Sequence, residues 1–442
     1  MNDSSGWTAC PLIDTLALVL DFRGRTPKKL GLEWGGGEIP ALSANNVEMG
    51  KINFYKECYF ASEELYRKWM TRGDARFGDV VLTTEAPLGN VAQIPDRQRY
   101  ILSQRAILLR TNEDDLCNDY LAHYLRSDVF QNLMRQQSSG TTATGIQRKK
   151  LETLPVRFPI SNLEQVKIAE ILSTVDRAIE QTEALIAKQE LIKTGLMQDL
   201  FTRGIDEDGN LRSEATHEFK DSLLGRIPKD WNDTTFEKIF SDCGGQLQTG
   251  PFGSQLHSHE YVNDGIPVVM PQDISTGGID TADIAQVTEL KAKSLARHRM
   301  LPGDLIFARR GDLSKCAVIQ MEQKGWLCGT GCLLMRPPVK ALSPRWTADI
   351  YRFHTTQEQV SIHAVGSTMP NLNTGILLAL IVPLPTLEEQ VQIEERLRGA
   401  EKNDRMNKSV LMKLQSLKSA LMQDLLTGKK RVTPLLKFDS RC

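Results

Sequence analysis

Met197-Gln198-Asp199-Leu200-Phe201-Thr202 returns as Met422-Gln423-Asp424-Leu425-Leu426-Thr427, an offset of 422 − 197 = 225 residues. Other anchors keep that offset. Glu164-Gln165-Val166 returns as Glu389-Gln390-Val391, and Gly78-Asp79-Val80-Val81-Leu82 as Gly303-Asp304-Leu305-Ile306-Phe307. Ile39-Pro40 matches Ile266-Pro267, and Trp7 matches Trp231, within two residues of the same spacing. So many anchors at one offset mark a tandem duplication that fills nearly all 442 residues. The unit is far too long for a solenoid repeat, so each copy carries its own core. Two such copies suggest an approximate two-fold relation, as in a fused homodimer, and duplex DNA is a ligand of matching symmetry.

Each copy divides in two. The first part mixes strands and loops. Val80-Val81-Leu82 and Ala106-Ile107-Leu108-Leu109 are short apolar runs between Gly, Pro, Asn and Thr, answered by Leu305-Ile306-Phe307 and Cys332-Leu333-Leu334-Met335. One helix is predicted over 119–133 and another over 346–360. Both parts close on a strand punctuated by proline, 154–159 and 380–385.

The second part is helical. From Leu163 to Thr202 there is no proline and a single glycine, Gly195. Ile168, Ile171, Val175, Ala178, Leu185, Ile192 and Leu196 form a heptad seam, with Thr182 and Gln189 as polar members. Ile393, Leu397, Ala400, Val410, Leu414, Leu417, Leu421 and Leu425 repeat it, interrupted at Asn403 and Asn407. A helix of about 38 residues is roughly 57 Å long. Two of them, paired antiparallel, bury their seams on each other; the alternative is that each packs on its own domain. The predicted class is α+β: two mixed domains, 1–160 and 205–385, with two long antiparallel coiled-coil helices, 161–204 and 386–430, and a tail, 431–442.

Composition excludes several functions. Lys and Arg number 54 against 55 Asp and Glu, a net charge of −1, so the chain is neither a polycation nor an acidic tail. Residues 1–162 hold 20 basic and 19 acidic side chains, and 205–387 hold 17 and 21, so a nucleic-acid face must be local. The longest apolar stretch is about ten residues, half of a membrane span. The start lacks the charge pattern of a signal peptide. The eight cysteines contain no CxxC, which predicts a reduced, cytoplasmic protein.

Catalytic patterns do not emerge. There is no phosphate-binding GxxxxGK[ST] and no HExxH. His257-Ser258-His259 is an incomplete ligand set, and the Cys328–Cys332 spacing does not suit zinc, so no metal site is predicted. The only Pro-Pro pair follows Arg336, unlike the Asn/Asp-Pro-Pro-aromatic loop of amine methyltransferases. No catalytic residue is predicted.

Base reading needs Arg or Lys for guanine, Asn or Gln for adenine, and Ser or Thr for several edges, displayed on loops of a rigid frame. Matched loops of the two copies supply them. Arg23, Arg25, Thr26, Lys28 and Lys29 are answered by Gln248, Thr249, Ser254 and Gln255. Asn45 and Asn46 are answered by Gln272, and Thr84 and Asn90 by Arg309, Arg310, Ser314 and Lys315. Gln104 and Arg105 are answered by Thr330; Thr142, Arg148 and Lys149 by Ser367 and Asn371. These are the candidate DNA-binding residues. Their side chains differ between copies while the frame repeats, as expected if each copy reads its own short sequence.

The chain resembles the specificity subunits of type I restriction–modification systems. The resemblance is carried by Phe158-Pro159 with Leu163-Glu164-Gln165 and Ile168, by Leu384-Pro385 through Glu389-Gln390 and Ile393, and by the two Leu-Met-Gln-Asp-Leu tails at 196–200 and 421–425. Ile227-Pro228-Lys229-Asp230-Trp231 and Thr249-Gly250-Pro251-Phe252-Gly253-Ser254 extend it. The first copy departs from the pattern by one extra residue between Pro159 and Gln165, and by Arg25-Thr26-Pro27-Lys28 in place of the Gly-Pro-Phe-Gly loop. The resemblance implies two target-recognition domains reading a split DNA target, with the helices as spacer. It implies two methyltransferase subunits that bring S-adenosylmethionine for N6-adenine methylation. Restriction subunits would use ATP and Mg. The chain itself would be non-catalytic. Two alternatives stand: a related system whose methylase and nuclease are fused in one partner, and a coiled-coil scaffold that does not bind DNA.

Overall fold

The computed structural model describes residues 6–139, 144–275, 278–364 and 370–436. They form two compact units. The first gathers residues 1–184 and 408–442, and the second residues 185–407.

Both units repeat one topology. In the first, a four-stranded sheet runs in the order Leu16–Asp21, Ala106–Thr111, Val80–Thr84, Leu88–Gln93, with antiparallel neighbours. In the second, the order is Gln246–Thr249, Cys332–Arg336, Leu305–Ala308, Cys316–Val318, again antiparallel. The runs read as strands in the sequence lie at the centre, where Val80, Leu82, Leu305 and Leu333 are fully buried. One ion pair on a buried carboxylate repeats in each unit. Arg110 grips Asp79 through Nε at 2.7 Å and Nη2 at 2.6 Å; Arg336 grips Asp304 at 2.7 and 2.8 Å. A second small sheet in each unit contains a parallel pair, Ile39–Leu42 with Ile101–Leu102 and Ile266–Val269 with Leu327–Cys328.

A strand opens and closes each mixed part. Trp7–Pro11 pairs antiparallel with Pro155–Pro159, and Asn232–Thr235 with Ile381–Leu384. The long helices follow at Asn162–Thr202 and Leu387–Leu425. The same glutamine launches both. Gln165 donates from Nε2 to the Pro159 carbonyl at 2.8 Å and the Asp115 carbonyl at 3.0 Å, and accepts from the Cys117 amide at 2.8 Å. Gln390 does the same with Pro385, Ala341 and the Ser343 amide. A fully buried side chain with every hydrogen-bonding group used fixes the direction in which the helix leaves. The extra residue of the first copy is taken up between Pro159 and Asn162, so Gln165 keeps all its partners.

The glutamate before it, buried at the positive end of its helix, reaches across the duplication. In the first unit Glu164 is gripped by Arg431 at 2.7 and 2.6 Å, from the chain beyond the second long helix. In the second unit Glu389 accepts from both Nη of Arg212, from Trp231 Nε1 at 2.9 Å and from the Ile205 amide at 2.8 Å, all beyond the end of the first. Trp7 packs on Gly428 and Trp231 on Gly204. Each unit is therefore completed by the tail of the other copy's helix.

The helices pair antiparallel inside each unit. In the first, Asp176 binds Lys418 at 2.6 Å, and Ile168 and Leu172 share a core with Leu425 and Leu426. In the second, Gln189 accepts from Asn407 at 2.8 Å and Lys193 meets Glu401 at 3.0 Å. Asn407 thus acts as the register-fixing amide its position in the seam predicts, whereas Asn403 is exposed. Burial is weakest at mid-helix: Leu185, Ile192, Val410 and Leu417 of the predicted seam are 44 to 55% exposed. A pair of helices covers only one side of each, so part of the stripe faces outward.

The helices predicted over 119–133 and 346–360 are each two. Asn118–Arg126 gives way to Asp128–Gln137, and Pro344–Arg352 to His354–Ala364. Ser127 makes the first break, accepting from the Phe130 amide and donating to the Tyr124 carbonyl. No described helix is long and apolar enough to cross a membrane.

His123 joins the first unit's short helices to the long pair. Arg126 donates to its Nδ1 at 3.0 Å, so the neutral ring carries its proton on Nε2, toward Ser173 Oγ at 2.9 Å. Burial and the Arg126 charge lower its pKa from 6.5 to about 3. The unfolded chain then takes up a proton that the folded one refuses. Stability is full above pH 6.5 and falls as pH drops toward 3. Melting temperature followed over that window should show the decline, and His123→Asn should flatten it. Glu389→Ala should cost about 3–5 kcal/mol in chemical denaturation, because buried Arg212 loses its two-pronged carboxylate and keeps the exposed Asp230 at 3.3 Å. Gly204 sits at φ +64°, and a methyl there would overlap Glu389 and Trp231, so Gly204→Ala should destabilise the same unit.

Candidate nucleic-acid interface

The first unit carries an open polar cleft of about 580 Å³. Four loops line it: Ser43–Val47, Lys56–Tyr59, Ala86–Asn90 and Ser103–Arg105, with Trp34 at the side. Trp34 stacks on Tyr59 with ring centres 5.6 Å apart.

The walls are held from behind. Asn46 is fully buried; its Oδ1 accepts from the Ser43 amide and hydroxyl, and its Nδ2 donates to the carbonyls of Asn53 and Glu57. Its counterpart Asp273 accepts from the Met270 amide at 2.7 Å. Asn90 donates to the Val47 carbonyl at 2.8 Å. Ala44 and Ser103 donate to the carbonyls of Gln104 and Leu42, and Thr84 donates to the Arg105 carbonyl from both its amide and its hydroxyl. A rim fixed through its backbone leaves its side chains free to meet a ligand.

Of the residues selected from the sequence, Asn45, Asn90, Gln104 and Arg105 line this cleft. Asn45, Gln104 and Arg105 are exposed. Asn46 and Thr84 were expected to reach bases; both are buried and shape the wall instead. Arg23 is turned inward, bound to Asp21 at 2.6 Å and to Thr84 Oγ1 at 3.2 Å. Burial pushes the Asp21 carboxyl up, but the Arg23 hydrogen bonds hold it below its usual range. Arg25 lies over the Phe22 ring and donates to the Trp69 carbonyl. Thr26 caps the short turn Pro27–Leu30, and Lys29 reaches the Gly24 carbonyl at 2.8 Å, while Lys28 stays exposed. Arg148 pairs with Glu152 at 2.6 Å, beside an exposed Lys149. Thr142 and Ser367 lie outside the described residues.

The second unit holds its own set at the matching strand ends. Arg309 is half-buried and donates to the Leu372 carbonyl at 3.0 Å, and the Asn371 amide lies against the carbonyls of Arg309 and Leu372. Gln248 donates to the Arg297 carbonyl at 2.6 Å, and Gln255 accepts from the Phe252 amide. Ser314 is spent on Asp312, at 2.6 Å. Thr249, Lys315 and Thr330 are half-buried; Ser254, Gln272 and Arg310 are exposed. Gly250 comes so close to Gly329 that no side chain fits between them, which explains the Gly-Pro-Phe-Gly loop of this copy.

Sequence reasoning missed Trp34, Tyr59 and Lys56. They are long, exposed or half-exposed side chains outside the loops that the duplication matched, so the comparison of the two copies did not draw attention to them. Among the described residues no cluster of His, Cys, Asp or Glu could hold a metal ion. Burial pushes the Cys328 and Cys332 thiols well up, so neither offers a thiolate. The arrangement presents amides and guanidinium groups on a fixed rim, suited to reading edges of a polar surface.

Residues 6–190 and 261–415 match the family described as the type I restriction modification DNA specificity domain. This chain belongs to that family. It is 23% identical over 431 residues to the putative MjaX specificity subunit of Methanocaldococcus jannaschii, covering 96% of this chain and 94% of that one. The MjaVIII specificity subunit of the same organism is 23% identical over 352 residues, 78% of each chain. The EcoKI specificity subunit of Escherichia coli K12 is 22% identical over 404 residues, 88% of this chain and 81% of that one. The fold matches a crystal structure of a type I restriction–modification system S subunit from M. genitalium, with a TM-score of 0.59 at 16% identity over 96% of this chain and 97% of that one. The family match and the fold agree with each other.

Replacing Asn46 strips the wall of four hydrogen bonds. Asn46→Ala should cost about 1–3 kcal/mol in denaturant titration, because buried partners are left unpaired. An unchanged midpoint would show that the wall is not held this way.

Proposed function

We propose that this chain addresses a type I complex to a split DNA target, each unit reading one half. The observation that carries this is the contrast between identical frames and different rims. Arg105 in the first unit corresponds to Gly331 in the second, and Glu85 to Arg310, on strand ends with the same backbone hydrogen bonds: Thr84 to Arg105, Arg309 to Gly331. A duplication that keeps its scaffold and exchanges its rim is suited to two different short sequences.

The proposal extends to partners. Two methyltransferase subunits would dock along the long helices, where Leu185, Leu191, Ile192, Val410 and Leu417 leave apolar surface 44 to 75% exposed. They would bring S-adenosylmethionine and the N6-adenine chemistry. Restriction subunits, where present, would bring ATP and Mg. This chain would act in the cytoplasm and supply no catalysis of its own. The cofactors follow from the partners' chemistry.

A genome-wide map of N6-methyladenine in cells with and without the gene tests this. A bipartite motif should vanish on deletion. A second measurement tests the helices as spacer: seven residues inserted into each helix at one level should lengthen the gap between the half-sites. A motif of unaltered gap, methylated by the lengthened protein, would sink the spacer role.

A further inference from the structure

We propose that Arg105 is a guanine-reading residue of the first unit, with no equivalent at that position of the second. The inference rests on the DNA-addressing role above and assigns a ligand to one side chain.

Three observations converge. First, Arg105 adopts φ +64°, a left-handed conformation that glycine tolerates and arginine does not favour. The matching residue of the second copy is Gly331, at φ +83°. Among the described residues only Ala86 shares positive φ without being glycine, and it lines the same cleft. Strained positions of this kind cluster where ligands are held. Second, the strain is fixed in place. The Arg105 carbonyl accepts twice from Thr84, and the residue before it is tied to Ala44. Third, the guanidinium is uncommitted. Arg23, Arg25 and Arg148 are bound to Asp21, the Trp69 carbonyl and Glu152, whereas Arg105 has no partner among the described residues. An exposed fork of donors on a rigid rim, beside Asn45 and Gln104, matches the paired acceptors O6 and N7 of guanine in the major groove.

The second unit has Arg310 on the neighbouring strand end instead, where the first has Glu85. The two rims therefore carry their exposed arginine at different positions.

The test uses the full chain co-expressed with the methyltransferase subunit of its own system, and selects from a random duplex library. Arg105→Gly is the informative variant, because glycine suits the backbone and should melt at or above the parent temperature. It should lose about 5- to 150-fold of its preference for guanine at one position of one half-site, with the other half-site unchanged. Replacing that guanine by 7-deazaguanine, which lacks N7, should weaken the parent and leave Arg105→Gly unaffected. A full parent motif retained by Arg105→Gly overturns the inference. So does an equal loss at every position with a shallower salt dependence, which marks a phosphate contact. If the parent complex itself selects no DNA sequence, the addressing role falls, and this assignment with it.

Discussion

Two buried carboxylates, Glu164 and Glu389, are closed by arginines that arrive from the far end of the opposite helix. Almost everything else follows from that contact. A carboxylate taken out of water is tolerable only when paired and hydrogen-bonded. The helix that carries it must therefore meet the chain beyond the other helix. The neighbouring Gln165 and Gln390 then set the angle at which each helix leaves its strand. Trp7 and Trp231, packed on Gly428 and Gly204, finish the seat. Two motifs that look like separate signatures in the sequence, Glu-Gln at one end and Leu-Met-Gln-Asp-Leu at the other, are two sides of one joint.

The architecture was legible because duplication doubles every signal. Strand runs that are ambiguous alone become firm when they recur at one offset, and the heptad stripe shows twice. The pairing of Asn407 with Gln189 follows from their positions as polar members of the seam. What the sequence did not reveal is that the units are exchanged. The expected boundaries at 160, 204 and 385 are contiguous, whereas compactness follows contact, and half of each helix belongs with the other copy. The breaks at Ser127 and Phe353 were hidden for a related reason. A kinked pair of helices and one continuous helix share the same periodicity over a few turns.

The rim was harder to read than the frame. Side chains able to recognise a base are also those that build turns, and composition cannot separate the two uses. Asn46 lies in the expected loop and Thr84 at the end of its strand, yet both are buried. Arg23 has the charge of a reader, but a neighbour two positions away consumes it. Only burial and hydrogen-bond partners divide the builders from the free side chains. Among the arginines selected in the first unit, that division leaves Arg105.

The exchange of helix halves also sets an order of events during synthesis. The second unit is one continuous stretch, 185–407, and every partner of Glu389 has been made by the time that glutamate emerges. The first unit holds the earlier residues, yet Arg431 and Val432 are needed to close its core. On a ribosome the second unit can finish while Trp7 and Glu164 wait for the segment that follows the second long helix. The usual direction, in which the amino-terminal domain is completed first, is reversed here.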